Sequence, residues 1–129
     1  MPRPPLARER VLDAFEDILV RDGERAATLD ATAKAAGVSK GGLLYHFGSK
    51  DELAEGLIER LNRLLDEDVT AMASADEGPV SFFIRTSVME NDPLDRAIIA
   101  VSRLSQGGYA AAPAALQAMR TLWADTLRP

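Results

Sequence analysis

The 129-residue sequence contains no cysteine and only one histidine, His46. The missing thiols exclude disulfide bonds and thiolate chemistry, which fits a reducing cytoplasm. A single histidine without any cysteine gives no basis for a metal centre. No apolar run approaches the roughly 20 residues of a membrane-spanning helix, and the first ten residues lack the apolar stretch of a signal peptide. We therefore expect a cytoplasmic protein with no cofactor, no metal and no membrane partner.

The alternation of apolar and polar residues that is typical of β-strands is also missing, and no internal repeat is visible. Apolar residues recur instead at helical spacing, first between Leu6 and Asp22. The recurring positions there are Val11, Ala14, Phe15, Ile18 and Leu19. With 47% hydrophobic residues, a chain of this length is able to bury a core. The sequence predicts an all-α fold.

A helix-turn-helix unit is predicted after this first helix. Helix-forming runs cover residues 29–36 and 40–47, and both are too short to be stable alone. Between them, Gly37 can adopt the positive φ that ends a helix. The hydroxyl of Thr28 can cap the first short helix, and that of Ser39 the second. We expect the pair to pack on the preceding helix.

Charge is distributed unevenly along the chain. The formal net charge is −5, yet residues 31–50 carry three lysines and no Asp or Glu. Residues 1–50 have eight Lys and Arg against seven Asp and Glu, a net +1, whereas residues 51–129 have seven against thirteen, a net −6. A locally basic surface on an acidic protein is expected for a segment that binds a polyanion.

Residues 35–53, AAGVSKGGLLYHFGSKDEL, resemble the DNA-binding signature of the TetR family of transcriptional regulators. The turn that begins at Gly37, the aromatic-His-Phe triplet that begins at Tyr45 and the Ser49-Lys50 pair match the family in order and spacing. This number of matched positions is more specific than a bare helix-turn-helix pattern. The resemblance implies a helix-turn-helix DNA-binding domain over residues 1–49.

The resemblance assigns residues 50–129 to a helical effector-binding and dimerisation domain. A capping box of Ser49 and Glu52 opens a long helix, whose apolar positions continue to Met72 over about 35 Å. Three further helices are predicted, at about residues 80–90, 93–105 with Asp92 as cap, and 114–127.

The third helix, residues 40–47, is the expected reader of the DNA major groove. Base contacts should fall mainly on Lys40 and Tyr45, while Gly41 and Gly42 allow the backbone to approach DNA closely. The residues expected to contact the phosphate backbone are Thr28, Ser39, His46 and Lys50.

Each of these residues also has a plainer interpretation. Lys40 and Lys50 would serve equally as solvated surface charges, and Tyr45 as a half-buried packing residue. Three positions depart from the family pattern: Thr32 replaces a larger apolar residue, Gly42 a hydroxyl residue, and Leu44 a frequent Tyr. We expect Thr32 to bond back to a carbonyl one turn earlier, and we carry over no side-chain contact for Gly42 or Leu44.

The C-terminal domain has more apolar residues than three helices need on one face. By resemblance, a small apolar or amphipathic effector would bind among them, with Arg85, Arg103 or Tyr109 as polar handles. The candidate ligand-binding residues are Phe82, Phe83, Met89, Val101, Leu104, Tyr109, Met119 and Trp123. The alternative for each is a place in the core or in a subunit interface.

Together these features favour a TetR-type regulator, most often a repressor in this family, that binds palindromic operator DNA as a homodimer. The alternative is an all-helical interaction module that kept the fold but lost specific DNA binding, for which Gly42 and Leu44 leave room. An enzyme is not indicated, because no nucleophile elbow, phosphate-binding loop or metal cluster is present. Family members usually continue into two further dimerisation helices, so we expect the chain to be a fragment, although a differently built dimer is the other reading.

Overall fold

The computed structural model describes residues 4–87 and 92–128, and this part of the chain contains seven helices and no strand. The predicted all-α fold is therefore confirmed. The helices are α1 (Pro4–Asp22), α2 (Leu29–Ala36), α3 (Lys40–His46), α4 (Lys50–Ser74), α5 (Pro79–Thr86), α6 (Pro93–Gln106) and α7 (Ala111–Leu127).

The helix bounds follow the sequence prediction closely in the first half of the chain. Helix α2 has the predicted limits, and α3 ends one residue early, because Phe47 leaves the helical conformation. Helix α5 ends at Thr86, short of the predicted end near residue 90, which lies outside the described residues. Helix α7 begins at Ala111, three residues early, because Pro113 is tolerated in a first turn whose N–H groups need no intrahelical partner.

Predicted caps account for the sharp turns around α2, α3 and α4. The hydroxyl oxygen of Thr28 accepts a hydrogen bond from the Ala31 N–H at 3.0 Å, and that of Ser39 accepts one from the Gly42 N–H at 3.0 Å. Ser49 likewise accepts from the Glu52 N–H at 3.2 Å. Gly37 ends α2 with φ of 72°, as predicted. Asp92 occupies the N-cap position of α6, as predicted, although its side chain makes no capping hydrogen bond.

One hydrophobic cluster joins α1–α4 to α6 and α7. On α1 it contains the predicted positions Val11, Phe15, Ile18 and Leu19, and it continues through α4 into α6 and α7. Helix α1 packs against α2, α3, α4 and α6. The helix-turn-helix unit, residues 4–49, which we call the head, is therefore docked on helices α4–α7, which we call the body.

Gly56 fixes how closely α4 approaches the head. It is buried on α4, and a Cβ atom built there would lie 3.1 Å from Leu12 Cδ1 and 3.1 Å from Phe47 Cε1. Such contacts are tighter than side chains normally make, so a larger residue would push α4 away from both. This role could not be recognised from the sequence, because an isolated glycine in a helix has many explanations.

Candidate nucleic-acid interface

Helix α3 has one buried and one exposed face. Leu43 is buried on the first, and Phe47, which follows the end of the helix, is buried in the same hydrophobic cluster with residues of α1 and α4. The opposite face, which we call the α3 outer face, consists of four exposed residues: Lys40, Gly41, Leu44 and Tyr45. A rigid helix that presents a row of exposed side chains in this way has the form of a groove-reading element.

Tyr45 is the most exposed large side chain on this face. Its relative exposure is 83%, and its ring makes one edge-on contact, with His46 at 5.0 Å between ring centres. The half-buried packing role considered from sequence is therefore not what the structure shows. An aromatic ring held out on a rigid helix is available to a partner and contributes little to the fold.

The two lysines assigned to DNA differ in their surroundings. Lys40 Nζ lies 3.3 Å from Asp30 Oδ1, and both side chains are largely exposed. Such a surface pair is worth about 0–1 kcal/mol and is easily exchanged for another anion. Lys50 Nζ lies 2.8 Å from Glu24 Oε1 and donates to the Glu24 carbonyl oxygen at 3.1 Å, with its side chain only 34% exposed. The charge of Lys50 is thus already engaged within the protein.

The two glycines of α3 are not equivalent. A Cβ atom at Gly41 would meet only Ser39 Oγ, at 4.0 Å, whereas one at Gly42 would meet the same oxygen at 3.2 Å. Gly42 is partly buried beside the capping hydroxyl that its own N–H contacts. Crowding at the cap therefore gives Gly42 a local reason to lack a side chain, while Gly41 lies open on the α3 outer face.

Thr28 and Ser39 are exposed at the starts of α2 and α3, with their hydroxyl oxygens committed to capping. Any further contact by these residues would use their remaining hydroxyl protons and the free backbone N–H groups nearby. Thr32 is fully buried and its hydroxyl donates to the Thr28 carbonyl oxygen at 2.7 Å, as the sequence predicted. His46 is partly buried at the end of α3.

Two arginines of α1 hold the helix-turn-helix unit in place, and sequence reasoning missed both. Arg10 Nη2 donates to the Ala36 carbonyl oxygen at 3.0 Å, next to the turn at Gly37. The guanidinium of Arg8 lies 4.8 Å from the centre of the Phe47 ring. These contacts fix the angle between α1 and the turn that α3 follows. A basic residue in an amphipathic helix gives no signal of such a role in the sequence alone.

The candidate ligand-binding residues separate into several groups. Phe82, Phe83 and Trp123 line a cavity of about 210 Å³, which we call the aromatic cavity. Val101, Leu104 and Met119 are buried in the core cluster. Tyr109 lies elsewhere, with its hydroxyl donating to the Asp51 carbonyl oxygen at 3.4 Å. Met89 lies outside the described residues.

Acidic side chains line the aromatic cavity together with the aromatic rings. Phe83 and Trp123 meet edge-on at 5.4 Å, and Trp123 Nε1 donates to Asp68 Oδ2 at 3.2 Å. Asp68, Asp92 and Asp95 all line the aromatic cavity. Burial raises the pKa of Asp68, as does the nearby charge of Asp92, although the hydrogen bond from Trp123 opposes this. Burial also raises the pKa of Asp95, with further increases from Asp92 and Asp68.

Neither expected arginine lines the aromatic cavity, although the guanidinium of Arg85 lies 5.3 Å from the centre of the Phe82 ring. Arg85 Nη2 lies 2.6 Å from Glu77 Oε1 on the surface, and Arg103 lines a different cavity beside Gly23 and Glu24.

In residues 4–87 and 92–128, no cluster of three or more His, Cys, Asp or Glu side chains has a metal-binding arrangement. None of the helices in those ranges combines the length and apolar character needed to cross a membrane.

Comparison with known proteins shows which family the head resembles. Residues 11–57 match the family model described as bacterial regulatory proteins, tetR family. The chain is 40% identical over 73 residues to the HTH-type transcriptional regulator AlkX of Mycobacterium tuberculosis, a match that covers 57% of this chain and 35% of AlkX. It is 37% identical over 76 residues to the nucleoid occlusion factor SlmA of Aliivibrio fischeri, covering 52% of this chain and 39% of SlmA.

The fold extends this likeness beyond the matched segment. A crystal structure described as a putative TetR-family transcriptional regulator from Rhodococcus sp. superposes with a TM-score of 0.65 at 23% identity, covering 94% of this chain and 67% of that one. That comparison concerns the fold alone, and the chain spans about a third of the length of AlkX. Residues 11–57 thus match the tetR family of bacterial regulatory proteins, and the head and body together have the fold of the Rhodococcus structure.

Proposed function

We propose that the protein is a cytoplasmic DNA-binding transcriptional regulator, a repressor whose operator binding a small-molecule effector controls. The observation that carries the proposal is the α3 outer face, with Lys40 and Tyr45 exposed on a helix whose other side is anchored by Leu43 and Phe47. The net charge of +1 over residues 1–50, against −6 for the remainder, directs a polyanion to this end of the molecule.

In this proposal residues 1–49 form the DNA-binding domain, Lys50 at the start of α4 adds a backbone contact, and residues 50–129 bind effector and form the dimer. Lys40 and Tyr45 read base edges, and Gly41 lets the helix approach the groove closely. The backbone-contacting residues are Thr28, Ser39, Gly42, His46 and Lys50. A homodimer would present two copies of α3 to a palindrome, one DNA turn apart.

The aromatic cavity supports an effector of a particular character. Phe82, Phe83 and Trp123 supply apolar faces, while Asp68, Asp92 and Asp95 supply acceptors and negative charge. An organic cation with an apolar body would meet both requirements, because aromatic faces and carboxylates each attract positive charge. The sequence predicted an apolar or amphipathic effector. Within that class of compounds we propose an organic cation.

A DNA-binding measurement at several salt concentrations tests the main proposal. The full-length protein would first be used to select duplexes from a random library, and the affinity for the selected duplex would then be measured between 50 and 200 mM salt, where phosphate-dependent binding falls by roughly 10³–10⁵ for 6–10 contacts. We expect a palindromic consensus and a steep loss of affinity.

Tyr45→Ala is the matched control, since this exposed residue can be removed without disturbing the core. We expect it to reduce affinity for the selected duplex at an unchanged melting temperature. A protein that enriches no duplex and shows no salt-dependent affinity would instead be the interaction module that retains the fold without DNA binding. SlmA is named a nucleoid occlusion factor, so a related head also serves in a protein named for a role other than transcription.

A further inference from the structure

Two consecutive glycines lie in the turn between α6 and α7, and they are there for different reasons. Gly108 has a φ of 88°, which strains most other residues, and a Cβ atom built there would meet nothing within 4 Å. Gly107 has a φ of −81°, which other residues also adopt. The backbone therefore explains the glycine at position 108 but not the one at position 107.

The side chain of Glu24 occupies the space that a side chain at Gly107 would need. A Cβ atom on Gly107 would lie 2.6 Å from Glu24 Cδ and 2.8 Å from its Oε2. Non-bonded atoms do not approach so closely, so Glu24 would have to move. The other carboxylate oxygen, Oε1, lies 2.8 Å from Lys50 Nζ. The carboxylate of Glu24, in the head, thus fits between two parts of the body, the end of α6 and the start of α4.

Hydrogen bonds hold the α6–α7 turn in place beside Glu24. The Gly107 N–H donates to the Arg103 carbonyl oxygen at 3.0 Å, which fixes Gly107 to the last turn of α6. The Tyr109 hydroxyl donates to the Asp51 carbonyl oxygen at 3.4 Å, which links the turn to the first turn of α4. These bonds oppose a retreat of the turn, so a side chain at Gly107 would displace Glu24 instead.

The charged groups around Glu24 determine where its carboxylate would go. Among the described residues, Lys50 is the ion-pair partner of Glu24. On another side, Glu24 borders a cavity of about 260 Å³ that Arg25, Arg103 and Asp22 also line. With Glu24 turned into this cavity, two arginines would face two carboxylates there. The displaced charge would therefore be balanced without Lys50.

We propose that Gly107 is a positioning residue for DNA binding. By leaving space for Glu24, it keeps the carboxylate on Lys50 Nζ and withholds the charge of Lys50 from a DNA phosphate. Asp51 also lines the cavity beside Lys50, but it forms no ion pair with Nζ in residues 4–87 and 92–128. The proposal rests on the function proposed above, in which Lys50 contacts the DNA backbone. The end of α6 would then limit the affinity for DNA without a DNA contact of its own.

The reactivity of Lys50 tests the position of Glu24 without DNA. The sequence has three lysines, and exposed Lys34 serves as an internal reference. The full chain would be treated with sulfo-N-hydroxysuccinimide acetate, and the acetylation rates at Lys50 and Lys34 would be compared by mass spectrometry. Gly107→Ala should raise the ratio of these rates by about two- to fivefold, the factor expected for loss of one partly exposed ion pair.

Two further variants show whether Gly107 acts through Glu24. Gly108→Ala is the matched control: it strains the same turn through its positive φ, yet its Cβ does not press on Glu24, so the Lys50 rate should stay at the wild-type value. Glu24→Ala should react faster at Lys50, and adding Gly107→Ala to it should change nothing, because no carboxylate is left to displace. This double variant also avoids the steric clash, and so remains informative if Gly107→Ala is poorly folded.

DNA titrations on the same proteins connect this reactivity with binding. Gly107→Ala should increase affinity by about two- to fivefold for the selected duplex and an unrelated one alike, because a charge on phosphate carries no base preference. In a Lys50→Ala background the same substitution should have no effect on affinity. A displaced head would change affinity in both backgrounds.

The proposal is overturned if Gly107→Ala leaves the Lys50 rate or the DNA affinity at the wild-type value. It is also overturned if Gly108→Ala raises the rate equally, if Gly107→Ala still raises the rate in the Glu24→Ala protein, or if the gain in affinity persists without Lys50. Faster acetylation in a protein that binds no duplex would contradict the DNA-binding function itself, and Gly107 would then control only the pairing of Lys50 with Glu24.

Discussion

Lys50 and Glu24 form a partly buried ion pair, with Nζ and Oε1 2.8 Å apart, that joins the first residue of α4 to the connection between α1 and α2. A second hydrogen bond, to the carbonyl oxygen of Glu24, strengthens the link. From the sequence, Lys50 is a phosphate contact at a helix start. In the structure the same residue holds the head on α4. The two roles predict different effects on DNA binding when its partner, Glu24, is substituted.

Lys50→Ala should weaken DNA binding at all sequences alike, because a point charge on phosphate carries no base preference. The slope of log affinity against log salt should become shallower by about one unit. The measurement is a salt titration on the selected duplex and on an unrelated one.

Glu24→Gln is the control that separates the two roles of Lys50. It breaks the same ion pair yet leaves the lysine charge in place, and frees that charge for phosphate, so DNA affinity should stay equal or increase. If Glu24→Gln and Lys50→Ala weaken DNA binding by the same amount, Lys50 acts on DNA only by positioning the head.

Gly41 offers a test of the α3 outer face that is free of packing effects. Gly41→Ala should stabilise the protein by up to about 1 kcal/mol, since alanine favours a helix over glycine and the site is open. Gly41→Glu should leave the fold intact and abolish binding to the selected duplex, because a carboxylate there would face phosphate and the acceptor-rich base edges.

Urea denaturation of the Gly41 variants should be compared with that of Gly42→Ala, whose Cβ would press on the capping oxygen of Ser39 at 3.2 Å. We expect Gly42→Ala to gain less stability than Gly41→Ala. If Gly41→Glu binds the duplex normally, this face of α3 is not the DNA-reading surface.

Local signals made the head predictable from the sequence. The caps at Thr28, Ser39 and Ser49 and the turn at Gly37 involve residues a few positions apart, and each side chain finds its partner within one helical turn. The buried positions of α1 follow the helical period. Such features depend on short sequence distances and leave a pattern that can be recognised.

The junction between head and body was not predictable in the same way. Arg60 meets Glu9 across 51 positions and Arg96 meets Asp17 across 79, and nothing near either arginine in sequence marks its partner. Arg103 was expected near the ligand and lines a different cavity, whereas Asp68 reaches Trp123 over 55 positions. Pairings of this kind depend on how the helices cross, which no local pattern records.

The stability of the protein should depend on pH through Glu16. Burial raises the pKa of this carboxyl above 4.5, with a smaller increase from Asp13, and outweighs the lowering by Arg60 and Arg96. Between 4.5 and the higher folded-state value, Glu16 binds a proton in the folded protein more readily than in the unfolded chain. Its contribution to stability is therefore fully present below pH 4.5 and is lost as the pH rises through the folded-state pKa.

Comparison with Glu16→Gln isolates this contribution, because the glutamine has no proton to bind and the remaining groups titrate in both proteins. The free energy of unfolding in urea, measured from pH 7.5 down to pH 5, should shift in favour of the wild type relative to the variant as the pH falls. Parallel profiles for the two proteins would show that Glu16 has the same pKa in the folded and unfolded states.

Trp123 tests whether the aromatic cavity is separate in function from DNA binding. It is half-buried, with its ring edge-on to Phe83 and its Nε1 bonded to Asp68. Complete burial would make Trp→Ala cost about 3–5 kcal/mol, so we expect roughly half of that here. In the full-length protein, Trp123→Ala should reduce the affinity for the aromatic cation phenyltrimethylammonium at least tenfold.

Operator affinity of the ligand-free Trp123→Ala protein should remain within about twofold of wild type, because coupling between two sites needs both, whereas binding at one does not. Asp68→Asn is the matched variant: it keeps the ring and removes the negative charge, so it should weaken binding of the cation with a smaller loss of stability. A thermal melt and a DNA titration on the same samples distinguish a ligand-binding role of Trp123 from a structural one. If Trp123→Ala melts far below the wild type and loses cation and DNA binding together, Trp123 is a structural residue of the body and the cavity beside it is not the effector site.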